Sequence, residues 1–183
     1  MNYTSITSSA VNICYKILLV VFYIFTISCE GDSQTKPAVT KTSEYKDVKI
    51  KDGYVPTGFY FLSVNSREGL SLKTRENETT YLISKKCFVC LENIDSISYK
   101  ISAFGETQIP VINLSLNEEG INNVSQLTST GNPFSFAVVV AGNLLFVPEV
   151  RSKITGKDFS IICDLYTLKE VESLVAAVKK EIK

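Results

Sequence analysis

Residues 109–182, IPVINLSLNEEGINNVSQLTSTGNPFSFAVVVAGNLLFVPEVRSKITGKDFSIICDLYTLKEVESLVAAVKKEI, switch repeatedly between two hydrophobic periods and so decide the fold class. Between Pro110 and Leu116 the apolar Ile112, Leu114 and Leu116 point one way. Val111, Asn113 and Ser115 point the other, the pattern of a half-buried strand. Asn117 then supplies a helix N-cap, with Glu118 and Glu119 in the first turn, where acids suit the positive helix end. Leu116 and Ile121 occupy the two positions of a hydrophobic staple, and Ile121, Val124 and Leu127 continue a buried stripe. After Gly131-Asn132-Pro133 the chain is extended again, with Phe134, Phe136, Val138 and Val140 on one face. Gly142-Asn143 signals a hairpin, and Leu144 to Val150 forms the return strand. Phe159, Ile161, Cys163 and Leu165 alternate once more. A capping box, Thr167 to Glu170, opens a last helix whose stripe is Leu168, Val171, Leu174, Val175, Val178 and Ile182.

Working outward, Gly58 to Val64 and Thr79 to Ser84 read as strands separated by a charged, solvated loop, Asn65 to Glu78. Leu91 to Asp95 reads as a single helical turn, and Ser96 to Phe104 as a strand. Gly105 to Gln108 is a four-residue loop into Pro110. The expected architecture is α+β: an antiparallel sheet with two amphipathic helices, 117–129 and 167–182, packed on one face over a single apolar layer.

Several of these positions carry a resemblance. Asn117-Glu118-Glu119-Gly120, the hairpin ending in Val147-Pro148-Glu149-Val150, Ile154-Thr155-Gly156 and Tyr166-Thr167-Leu168-Lys169-Glu170-Val171 resemble the periplasmic head domain of the SecD subunit of the SecDF protein-export complex. Gly58-Phe59-Tyr60-Phe61-Leu62-Ser63 resembles the strand leading into that head. The resemblance spans roughly residues 56 to 183 and rests on turn, cap and core positions, so it implies a fold more than an activity. It departs at Ala141, where the family has an aspartate before the hairpin glycine, and at Lys157-Asp158, which replace a glycine-rich run. The resemblance implies a domain that engages a translocating polypeptide beside export machinery; the membrane motor that drives the family's head is not in this sequence, which has one hydrophobic segment.

That segment, Ile17 to Ser28, is too short to cross a bilayer comfortably and suits the core of a signal peptide. Ser28-Cys29 at its end resembles the lipobox of bacterial lipoproteins, with Thr26 where an aliphatic residue is usual. The resemblance implies lipid attachment at Cys29, hence a membrane partner through the lipid anchor and a location in the cell envelope. A signal anchor beginning at Val11 and a plain cleaved signal are the other readings. The organisation is therefore a signal peptide, 1–29, a polar tether, 30–52, and a folded domain, 53–183.

The chemistry the chain can perform is narrow. Lys+Arg and Asp+Glu are 19 each, so no net field draws it to nucleic acid. It has no histidine, which removes Ser-His-Asp and Cys-His nucleophiles and the commonest metal ligand. Cys87-Phe88-Val89-Cys90 is the one motif that invites chemistry, since a Cys-x-x-Cys pair holds zinc or acts as a dithiol couple. Zinc wants four ligands, and beyond the anchor region only Cys163 could join the pair. A disulfide or small apolar packing at a sheet's end is the plainer reading. Pro148 marks an edge or a bulge, which either receives an extended peptide or guards against aggregation. The reading is a non-enzymatic, lipid-anchored binding module with no metal or cofactor; its alternatives are a thiol-active protein using Cys87 and Cys90, and an accessory subunit of protein export.

Overall fold

The computed structural model describes residues 45–50, 53–65, 69–76 and 78–182 of the 183. Along them run β1 (Lys46–Asp47), β2 (Gly58–Leu62), β3 (Gly69–Lys73) and β4 (Thr80–Val89), then a 3-10 turn (Leu91–Asn93). β5 (Ile94–Phe104), β6 (Thr107–Leu116), α1 (Glu118–Thr128), β7 (Phe134–Val140), β8 (Asn143–Phe146), β9 (Glu149–Val150), β10 (Asp158–Ile162) and α2 (Leu168–Glu181) follow. The fold is α+β with antiparallel strands, as the periodicities require.

Among the described residues the strands form two sheets rather than one. The larger has seven strands in the order β1-β4-β2-β7-β8, with β3 also beside β4 and β9 beside β7. The smaller has the order β10-β6-β5. A first core lies where both sheets and both helices meet. Phe59, Phe88 and Val138 come from the large sheet, Ile112 from the small one, Val124 from α1 and Val175 from α2. The opposite face of the large sheet is also covered. It curls until β3 and β8 approach within 8 Å, enclosing a second core of Tyr60, Ile83, Cys87, Ala137, Val139 and Leu144. The expectation of a single apolar layer is therefore corrected: β7 is buried on both faces, which is why Val138-Val139-Val140 is an unbroken apolar run.

Local chemistry explains the elements. Asn117 Oδ1 accepts from Gly120 N at 2.9 Å and caps α1. Thr167 and Glu170 form the capping box of α2, whose buried stripe is Val171, Val175 and Val178. Leu168 and Ile182, expected inside, are each 38% exposed because they lie at the ends of the helix, beyond the sheet. Leu165 is also exposed, after β10 has ended. The loop expected over 65–78 contains β3, whose Leu70 and Leu72 alternate onto the second core; the charges on either side hid that short period. The four-residue loop expected over 105–108 is a two-residue turn, with Phe104 opposite Thr107 and φ +64° at Gly105. Ordered structure also begins before Gly53: Lys46 and Asp47 pair with Cys87 and Lys86, so the end of the expected 30–52 tether belongs to the sheet. The expected signal segment and the tether up to residue 44 lie outside the described residues, as do residues 51 and 52.

The β7–β8 hairpin turns on Ala141 and Gly142, both at positive φ (47° and 79°), one residue earlier than the Gly142-Asn143 signal suggested. This is the backbone of a type I′ turn. Gly142 is required twice, because a Cβ there would come within 2.9 Å of the Tyr54 ring. Ala141 is the strained member, since an L-residue with a Cβ resists the left-handed region by roughly 1–2 kcal/mol. Ala141→Gly should therefore raise stability by roughly 0.5–1 kcal/mol, the relief of strain exceeding the added chain entropy. A higher urea midpoint at unchanged slope is the expected result, and a lower midpoint would refute it.

Candidate functional site

The two sheets share the first core but are not hydrogen-bonded to each other. Where β8 and β9 of one face β10 of the other, a narrow apolar slit of about 130 Å³ remains. Its floor is Phe59, Phe136 and Val138, one wall is Phe146, Pro148 and Val150, and the opposite wall is Phe159 and Ile161. Ile154 closes one end. The Phe59 ring lies 5.4 Å from Phe136 in a tilted arrangement and 5.2 Å edge-on from Phe159, so it links the floor to the β10 wall.

The residues that open the slit can be named. Pro148 has no N–H to give a ladder, and the return strand breaks there into β8 and β9. A register shift between Val138 and Val139 leaves Leu145 as an extra residue in β8, a bulge that bends the return strand shortly before Pro148. The loop after β9 is held by two hydrogen bonds: Ile154 N donates to the buried Thr128 Oγ1 at 2.9 Å, and Leu116 N donates to Lys157 O at 2.9 Å. These set Ile154 over the slit. Among the described residues β8 and β10 each end their sheet's hydrogen-bonded order; β3 approaches β8, so the open edge flanking the slit is that of β10. The 144–150 run named from sequence supplies one wall. Phe159 and Ile154 were not named as site residues; the alternation of Phe159 with Ile161 was the only signal, and it does not tell which strand stands opposite.

A second hollow lies at the start of α2, between Arg75, Tyr166 and Glu170. Its Arg75 and Glu170 are already used. Arg75 Nη2 meets Glu170 Oε1 at 2.8 Å, and the guanidinium sits 4.2 Å above the Tyr166 ring. Thr167 N and Oγ1 donate to the other Glu170 oxygen at 2.8 and 2.9 Å. The arrangement clamps the β3–β4 turn to the helix.

Cys87 and Cys90 are joined by a disulfide with Cα atoms 5.5 Å apart. Cys87 is 1% exposed in β4, in the second core, while Cys90 is half-buried just after the strand. Cys163 is a separate, buried thiol in the first core, its pKa pushed up chiefly by burial. The structure thus does not bring the three sulfurs together. Among the described residues no three Cys, Asp or Glu side chains gather as a metal site. Cys29 lies outside the described residues. Glu118 and Glu119 stay in the first turn of α1, and Asn123 donates to Phe88 O at 2.9 Å, securing the helix to β4.

Residues 68–180 match the family of the SecDF P1 head subdomain. No curated protein matches the chain. Among solved structures, the crystal structure of SecDF in super-membrane-facing form aligns at a TM-score of 0.49 and 16% identity, over 67% of this chain and 18% of that one. A structure of "a membrane component SecDF that enhances protein export" aligns at 0.48 and 15%, over 69% of this chain and 63% of that one. This chain therefore spans less than two thirds of either. No helix among the described residues is long and apolar enough to cross a membrane.

The clamp at α2 has a pH signature. Arg75 first, and then the Thr167 donors, hold the Glu170 carboxyl down from 4.5 to about 2. A carboxyl lowered in the folded state stabilises fully above its ordinary value and loses that contribution as pH falls from about 4.5 toward 2. Arg75→Gln should therefore lower the urea midpoint near neutral pH and leave it almost unchanged near pH 2. A deficit of equal size at both pH values would show that Arg75 acts through packing alone.

Proposed function

This chain belongs to the SecDF P1 head subdomain family, and on that footing we propose that it is a non-enzymatic binding module of the cell envelope, related to protein export, that takes an extended polypeptide into the slit between β8–β9 and β10. The slit is the observation that carries this reading. Small-molecule sites generally enclose about 300–1,000 Å³, whereas an apolar void of about 150 Å³ accommodates one benzene-sized group. At about 130 Å³ the slit fits a single large apolar side chain. The sheet edge beside it, at β10, offers backbone groups to the chain that carries that side chain. The reading involves side-chain capture and strand addition, with no reacting group.

The same proposal includes its attachment. Residues 1–29 act as a signal peptide ending in a lipobox, Cys29 carries the lipid, and the polar stretch to about residue 44 tethers the domain to a bacterial membrane. The resemblance at Ser28-Cys29 and the polar composition of 30–44 support this. Export machinery is the partner that the family suggests, and the polypeptide in transit is the ligand.

Two measurements test these parts separately. The full chain, carrying a photocrosslinker at position 150, is offered a reduced, unfolded polypeptide rich in Leu and Phe. Crosslinking is expected, and Phe146→Asp should cut it roughly tenfold, the loss of about one buried apolar side chain. Equal crosslinking by both proteins would remove the slit as the binding site. In cells, labelled palmitate should enter the wild-type protein and be lost in Cys29→Ser. Label that persists in the variant, or never enters the wild type, would overturn the anchor.

A further inference from the structure

The Cys87–Cys90 disulfide lies in the second core, on the opposite face of the large sheet from the slit, and the slit does not use it. It is covered by residues 45–50. Lys46 pairs directly with Cys87 and Asp47 with Lys86, and Val48 N donates to Lys85 O at 2.8 Å. The Lys46 carbonyl oxygen stands 3.7 Å from Cys87 Sγ. Val48 and Ile50 lean on the second core, Tyr45 packs edge-on to Phe61 at 4.9 Å, and the Lys46 ammonium meets the Glu92 carboxylate. The covering is slight, two paired residues, so this strap can leave without dismantling the sheet behind it.

Both redox states find the same backbone ready. A Cys87 thiol would have the Lys46 carbonyl as acceptor, and a Cys90 thiol would have the Cys87 carbonyl at 3.8 Å. The two sulfurs differ in access, Cys87 being shut in and Cys90 half-exposed.

We propose that Cys87–Cys90 is an exchangeable disulfide attacked at Cys90 and gated by the Tyr45–Ile50 strap. A thiolate of an external dithiol forms a bond to Cys90 Sγ as the Cys87–Cys90 bond breaks. Cys87 leaves with the electron pair and takes a proton from solvent, and the resulting thiol donates a hydrogen bond to the Lys46 carbonyl once the strap is docked. The second thiol of the reductant, deprotonated, then attacks its own sulfur in the mixed disulfide. Cys90 is released as a thiolate and the reductant ends as its cyclic disulfide, two electrons having passed to the protein.

The test uses the full oxidised chain, dithiothreitol as reductant, and an alkylating agent with peptide mapping by mass spectrometry, so that each cysteine is read separately. Reduction of Cys87–Cys90 should run well ahead of alkylation of the buried Cys163, which reports global opening. Equal rates would mean that the pair opens only on unfolding, and would overturn the proposal. Val48→Ser should speed reduction about tenfold, through loss of an apolar contact under the strap, with Cys163 unchanged. No acceleration, or acceleration matched at Cys163, would overturn the gate. With one partner removed, Cys87→Ser should leave a Cys90 that labels readily, and Cys90→Ser a Cys87 that labels slowly; the reverse order would overturn the point of attack. None of these readouts involves polypeptide binding, so their failure leaves the slit untouched.

Discussion

The fold depends on one strand being covered on both faces at once. β7 sends Phe136, Val138 and Val140 into the first core and Ala137 and Val139 into the second, and all five are at most 3% exposed. At about 1.5–3 kcal/mol for a large apolar side chain taken out of water, this strand alone rivals the net stability of a typical domain, about 5–15 kcal/mol. β2, its neighbour, repeats the division: Phe59 faces the first core and Tyr60 the second. The Tyr60 hydroxyl donates to Pro56 O at 2.8 Å, so the one polar atom carried in by this pair is satisfied.

A strand used on both faces can only be closed off at its ends, and the hairpin tip shows how. Ala141 N donates to the buried Thr57 Oγ1 at 2.9 Å, and the Tyr54 ring covers Gly142. The Tyr54 hydroxyl and Thr57 N both donate to the carboxylate of Glu181, in the last turn of α2. The turn, the segment before β2 and the final helix are thus held by one carboxylate. This is the region where the sequence resemblance implies an aspartate and the chain carries Ala141. The contacts made by backbone and by neighbours explain how the turn persists without that side chain.

Much of this was legible in the sequence because it is governed by local chemistry. Asn117, and Thr167 with Glu170, announce helix starts that the structure keeps, since caps depend on residues three apart. Pro148 announced a broken edge for the same reason. What escaped was decided by residues far apart in the chain. Leu70 and Leu72 form a strand only because β4 lies beside them, and Lys46 belongs to the sheet only because Cys87 does. Asn93 is a further case. Its Oδ1 accepts from Cys90 N and its carbonyl accepts from Asn117 N, tying the end of β4 to the start of α1, a role no spacing rule reveals. The candidate site divides likewise: Phe146, Pro148 and Val150 could be read from the run they belong to, while Phe159 and Ile154 required the second sheet.

The division into two sheets is itself the origin of the slit. A single continuous sheet would have joined the 143–150 run to β10 by a ladder and left no space between them. Pro148 withholds a donor from that run, and the loop held at Thr128 and Leu116 carries the chain away before β10 begins. The first core then meets solvent along one line, bordered by aromatic rings. Filling that line with a large residue from within would improve burial and close it; leaving it open keeps Phe146 and Phe159 only partly buried. On the proposed reading, an opening shaped for one apolar side chain, beside an edge that bonds any backbone, would select for hydrophobic spacing and be indifferent to sequence. That is the recognition an unfolded chain can satisfy and a folded one cannot, because folding hides its apolar residues and pairs its backbone at the same time.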